Sequence, residues 1–143
     1  MKFKLLNVDK QKTYAIILQS GDEVMECITS FAKKEKLKAS QFNAIGAFSS
    51  VTLGYFDFNI KDYKKIEINE QVEVLNIAGD ISLYKNEIKV HAHVVIGMAD
   101  AKAYGGHLLK ATAHPTLEII LTESPEYLER QMDEASHLPL IKI

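Results

Sequence analysis

The chain has 143 residues, of which 47% are hydrophobic, and a formal net charge of −2 at pH 7. That is enough for one domain with a real core and too few for two. No apolar run approaches a membrane span, the single cysteine excludes an intrachain disulfide, and the acidic balance argues against a strong nonspecific grip on DNA, which depends on Lys and Arg neutralising phosphates.

In chain order, Phe3 to Val8 and Tyr14 to Gln19 are apolar runs of strand length, with Asp9-Lys10-Gln11-Lys12 as the turn between them. Met1 to Leu6 is too short and too interrupted by lysines for a signal peptide, so a cytoplasmic protein is expected. Ser20-Gly21-Asp22-Glu23 has the pattern of a capping box. A helix follows: Val24, Cys27, Ile28, Phe31 and Ala32 fall on one stripe, with acids in the first turn and lysines near an end at Lys36. Cys27 on that stripe reads as a small buried hydrophobe. Lys33, Lys34, Lys36 and Lys38, and then Lys61, Lys64 and Lys65, read as solvated surface.

Residues 39–57 read as two strands joined near Ser49-Ser50, with Gly46 and Gly54 marking bulges or close backbone approach. Asn59 to Lys65 is a loop or hairpin end, Ile66 to Ile68 a short strand, and Gln71 to Ser82 a longer one bent at Gly79. Lys85-Asn86-Glu87 turns the chain into Lys89-Val90-His91-Ala92-His93-Val94-Val95-Ile96-Gly97. In a strand, alternate side chains share a face, so His91 and His93 lie together opposite Val90, Ala92, Val94 and Ile96. Two imidazoles so placed can converge on one metal ion or one polar substrate group; the alternative is two half-exposed residues bonded to water.

Asp100 to Tyr104 is expected as a loop. Ala103-Tyr104-Gly105-Gly106-His107-Leu108 then delivers a third histidine on a Gly-Gly turn, where the backbone can approach closely. Three histidines are a known zinc ligand set when one coordination position stays open. His107 to Ala113 and Leu117 to Thr122 are strands, and His114 before Pro115 falls in a loop. Ser124-Pro125-Glu126 starts a short helix with Leu128 and Met132 on its apolar face, and Leu138 to Ile143 docks as an edge strand. The whole is one α+β domain over residues 1–143, with a largely antiparallel, mixed, twisted sheet, one principal helix and a short C-terminal helix.

Several stretches together resemble the PPC domain, also called DUF296 or the PD1-like domain, of plants and prokaryotes. They are Gly21-Asp22-Glu23-Val24 with Phe31-Ala32, Gly46 to Gly54, Glu73 to Ser82, His91-Ala92-His93, Gly105-Gly106-His107-Leu108 and Leu117 to Leu121. The resemblance implies a compact α+β fold, similar also to acetolactate decarboxylase, assembled as a homotrimer. It implies a metal site at His91, His93 and His107. Plant members attach the domain to AT-hooks of Arg-Gly-Arg-Pro type, which this sequence lacks.

Zinc is the expected ion at such a site. Glu73 and Glu118 are the candidate carboxylates for a base or an orienting partner; each is otherwise an exposed strand residue or half of an ion pair. Asp80 and Asp100 read as turn residues, and His137 as a surface residue. Tyr104 lines the site or packs at a subunit contact; Phe48, Tyr55, Phe56 and Phe58 read as core or trimer interface. Two functions follow, beside a purely structural trimer whose histidines only stabilise the assembly. One is a homotrimeric binding or regulatory protein, associated with DNA, with a three-histidine zinc site. The other is a zinc-dependent enzyme acting on a small carbonyl or carboxylate substrate, which requires a small-molecule ligand.

Overall fold

The computed structural model describes residues 1–7 and 11–142. β1 (Lys2–Asn7) pairs antiparallel with β2 (Lys12–Gln19); Val8 and the expected turn at Asp9-Lys10 lie outside the described residues. β2 buries Tyr14, Ile16 and Leu18 in strict alternation, as a half-buried strand must. Helix α1 (Val24–Glu35) buries Val24, Ile28, Phe31 and Ala32, with Cys27 packed at the margin of the core. The helix ends as expected at Lys36, which takes the left-handed conformation (φ 56°, ψ 41°).

The helix start differs from the capping-box expectation. The carboxylate of Asp22 accepts from the Gln19 amide (2.9 Å), tying residues 19–22 into a turn ahead of the helix. Glu23 is therefore the cap, and its Oε2 accepts from the Glu26 amide (2.7 Å). Ser20 donates to the Pro115 carbonyl instead (3.2 Å).

Residues 39–57 are not two strands but one, β3 (Ser40–Asp57), and β7 (Ala103–Glu123) is likewise continuous. Both curve through bulges rather than ending, because an extra residue in one strand bends it without releasing the ladder. Gly46 sits at such a shift with φ 151°, and a Cβ there would collide with the Thr116 carbonyl. His114 and Pro115 lie in β7, not in a loop. They fall where the β3 register jumps from Gly46↔Leu117 to Phe48↔Ala113, a gap that tolerates a proline without an amide hydrogen.

β3 continues by a hairpin into β4 (Asp62–Ile68). β5 (Val72–Tyr84) and β6 (Glu87–Gly97) form a second hairpin over Lys85 and Asn86, both at positive φ (51° and 63°), the two-residue turn that matches strand twist. Gly79 does not bend β5; its missing Cβ leaves room for the Phe42 ring. β3 pairs with both β5 and β7, β5 with β6, and β6 with β7, so these four strands close a ring. α1 packs against β6 and β7.

No second helix forms among the described residues. The expected C-terminal helix is replaced by β8 (Glu129–Met132) and β9 (Pro139–Lys142), an antiparallel pair that joins β5 through a parallel contact of β8. The backbone groups a short helix would need are already engaged: Ser124 N–H donates to the Ala39 carbonyl, Leu128 N–H to Lys38, and the Leu128 carbonyl accepts from Leu83. A one-turn helix is marginal on its own, so these long-range bonds prevail. Met132 is consequently exposed rather than packed. The expected edge strand at the tail is present as β9, with Ile143 outside the described residues.

Candidate metal centre

The alternation of β6 is as the sequence implies. Val90, Ala92, Val94 and Ile96 are buried in the core, while His91 and His93 share the outer face. The third histidine arrives on a strand, not a turn: His107 is the direct cross-strand partner of His93. Gly105 and Gly106 nevertheless serve close approach. A Cβ on Gly105 would lie 2.9 Å from the Val94 carbonyl oxygen, and one on Gly106 2.9 Å from that of Gly54. The glycine pair lets β7 fit between β6 and β3 just where it presents His107.

The ligand atoms of His91, His93 and His107 lie within 4.8 Å of one another. Ring centroids are 5.1 Å apart for His91–His93 and His91–His107, and 5.3 Å for His93–His107. Tyr63, from β4, stacks on His107 at 4.6 Å. Burial, and then the neighbouring His91, His93 and Lys89, push the His107 imidazole down to about 4 from its ordinary 6.5. Burial and then His91 lower His93 as well. Both rings are thus neutral near pH 7, the form a metal needs.

His107 Nδ1 is buried with no hydrogen-bond partner, a situation that costs about 1–3 kcal/mol unless a partner is supplied. Nitrogens bound to one zinc at about 2.0–2.1 Å sit roughly 3.4 Å apart, inside the 4.8 Å within which these three candidate ligand atoms lie. An orphaned nitrogen among three converging imidazoles fits a divalent cation.

Asp80 of β5 is the cross-strand partner of His91 and lies in a strand, not a turn. Its Oδ2 is 3.3 Å from His91 Nδ1, and its Oδ1 accepts from Arg130 Nη2 (2.6 Å). Burial acts to raise the Asp80 pKa, but the hydrogen bonds from His91 and Arg130 and the guanidinium charge outweigh it and lower it. An ionised carboxylate only accepts, so His91 carries its hydrogen on Nδ1 and leaves Nε2 free for a ligand.

The three histidines open onto a cleft of about 450 Å³ walled by Phe56, Phe58 and Tyr63 and by Leu138, Pro139 and Leu140. The candidate carboxylates are elsewhere. Glu73 pairs with Gly97 and Glu118 with Ile17 and Ile45; both are exposed and neither lines this cleft. Tyr104 is half-exposed opposite Ile96 and is also outside it. His114 meets Ser20 (3.1 Å) and His137 meets Lys61 (3.3 Å), and neither is one of the three converging histidines. Phe48 is core; Tyr55 and Phe58 are exposed at the cleft. Sequence reasoning missed Asp80, Tyr63 and Arg130. The alternation that finds His91 also finds Asp80 once the Lys85-Asn86 turn fixes the register; nothing local points to Arg130.

A profile of the Plants and Prokaryotes Conserved (PCC) domain matches residues 6–125. Among curated proteins, the bifunctional protein GlmU of Synechococcus sp. (strain JA-3-3Ab) is 30% identical over 128 residues, 87% of this chain but 19% of GlmU. The chain thus spans about a fifth of the length of the curated relatives it matches.

Three crystal structures share the fold over nearly all of both chains. A plant- and prokaryote-conserved protein of Pyrococcus horikoshii has a TM-score of 0.86 and 31% identity, over 99% of this chain and 95% of that one. A metal-containing protein of Archaeoglobus fulgidus has 0.85 and 30%, over 99% and 97%. A protein of Ralstonia eutropha, provisionally named as DNA-binding, has 0.87 and 27%, over 98% and 96%.

Proposed function

Because the chain belongs to the Plants and Prokaryotes Conserved domain family, we propose that it is a metal-binding, self-associating regulatory module whose site is His91, His93 and His107. The observation that carries this is the convergence of the three imidazoles, one with a buried nitrogen lacking a partner. Zinc suits a neutral three-nitrogen set, and the metal-containing relative supports an ion at this fold. When bound, such an ion supplies a Lewis acid that polarises an oxygen or acidifies a water. Around it, Asp80 orients His91, Tyr63 shields one face of His107, and the apolar walls limit water access. Elemental analysis of tag-free protein, with His91→Ala as control, tests the reading; wild-type protein free of metal after growth and dialysis with zinc would remove it.

Self-association as a homotrimer is supported by an apolar row on the outer sheet face. Ile45 of β3, Leu75 of β5 and Val95 of β6 lie side by side near the strand bulges, all exposed. Single monomers seldom leave such rows uncovered. Val95→Glu should convert a trimer to monomers in sedimentation; a wild-type monomer would discard the trimer. Association with DNA is supported by the name of the Ralstonia relative, and a binding constant that falls with salt is its test.

The cleft favours a second reading, a zinc-dependent enzyme for a small carbonyl or carboxylate compound. Its size is that of a small-molecule site, with apolar walls and polar groups at one end. Turnover in a substrate screen, lost in His93→Ala, would select this reading over the first.

A further inference from the structure

We propose that Arg130 is the positioning residue of the histidine site. From the C-terminal hairpin it holds Asp80, and through Asp80 it fixes which nitrogen of His91 faces the metal. The part of this that concerns metal rests on the reading just given.

Arg130 is almost fully buried, yet belongs to a four-residue strand at the periphery of the sheet. Its guanidinium is spent on three separate acceptors. Nε donates to Ser82 Oγ (2.7 Å), Nη1 to the Pro139 carbonyl (2.8 Å) and Nη2 to Asp80 Oδ1 (2.6 Å). Ser82 in turn donates to the same Asp80 oxygen (3.3 Å). One carboxylate oxygen is thereby pinned by two donors, which leaves Oδ2 aimed at His91 Nδ1 (3.3 Å). Nη2 also lies 3.4 Å from that nitrogen, and its second hydrogen would favour a lone pair there; the ionised carboxylate at 3.3 Å competes for the same nitrogen as acceptor, and we take it as the stronger partner. A lone pair on Nδ1 would face a carboxylate; a hydrogen there is attracted to it. The chain therefore prepares His91 in the tautomer that offers Nε2 outward.

A guanidinium does this in full and an ammonium only in part, because a planar fork reaches three acceptors in fixed directions. The family match ends at residue 125, so this support comes from a segment beyond it. Pro139, which accepts from Arg130, also walls the cleft. One residue thus ties the cleft wall, the carboxylate and the metal ligand together.

The test uses Arg130→Met, Arg130→Lys and Asp80→Asn in the full chain. Nitrogen-15 NMR of the metal-free protein reads the His91 tautomer; competition with a chelating dye reads zinc affinity; thermal melts of the metal-free forms report folding. Wild type should show hydrogen on Nδ1. Arg130→Met should mix the tautomers and weaken zinc binding about 10–100-fold. Arg130→Lys, which keeps the charge, should recover part of both. Adding Arg130→Met to Asp80→Asn should weaken zinc binding no further than Asp80→Asn alone. A folded Arg130→Met with unaltered tautomer and zinc affinity within about twofold would overturn the proposal, as would additive losses in the double variant. If Arg130→Met does not fold, Arg130→Lys decides by the same readings. A wild type that binds no zinc sinks the metal reading, while the tautomer still tests the positioning role.

Discussion

The two sides of the cleft are built by different means. One side is a strand ladder: His91, His93 and His107 are placed by the pleat of β6 and by its register with β7, and a ladder leaves each ring little choice. The other side is a short hairpin, β8 and β9, that reaches the site from the chain's end and is held mainly by Arg130 and a two-residue parallel pairing with β5. The ladder side owes its geometry to many repeated backbone bonds. The hairpin side owes it to a few long-range ones.

The largest effect is expected where the ladder side loses one of its histidines. His93→Ala should abolish stoichiometric zinc binding, seen by elemental analysis, while far-UV circular dichroism stays unchanged. Retained binding would mean that the histidines are not the site. A strong effect should come next from Gly106→Ala, since the added Cβ would meet the Gly54 carbonyl oxygen at 2.9 Å. Overpacking of this kind costs about 1–3 kcal/mol, and thermal unfolding should show the loss; an unshifted melt would mean that β7 and β3 are not in close contact there.

An effect of comparable size, spread over the acid range, is expected from pH in the metal-free protein. His107 resists protonation in the fold, its pKa being about 4 against 6.5 unfolded. Below pH 6.5 the unfolded chain therefore binds a proton that the folded chain does not, and stability falls as pH drops from 6.5 towards 4. His107→Gln should flatten part of that slope in denaturant titrations at several pH values. The smallest effect contrasts the cleft with exposed strand positions outside it. Glu73→Gln and Glu118→Gln should leave zinc affinity unaltered, because both carboxylates are exposed away from the cleft; a loss of affinity in either would restore it as a partner of the site.

Strand Glu87–Gly97 was legible because strict alternation of Val90, Ala92, Val94 and Ile96 against two histidines admits one reading of faces. Helix Val24–Glu35 was legible for the same reason at a different period. The glycines before His107 announced close approach, but not whether the backbone turned or ran straight, since a glycine pair suits both. Residues 39–57 and 103–123 read as broken strands because bulges look like ends when the partner strand is unseen. The C-terminal helix failed because a serine, a proline and a glutamate are a local signal, and the hydrogen bonds of Lys38, Ala39 and Leu83 are not local.

By itself, then, the sequence determined periodicities: which side chains share a face of one element, and so that His91 and His93 stand together. Only the tertiary structure decided the registers between elements distant in the chain. Those registers put His107 opposite His93, and place Arg130 against Asp80 from fifty residues away. The physical reason is that a pleat repeats along the backbone and is written in neighbouring residues, whereas the meeting of two strands depends on the closure of the whole sheet.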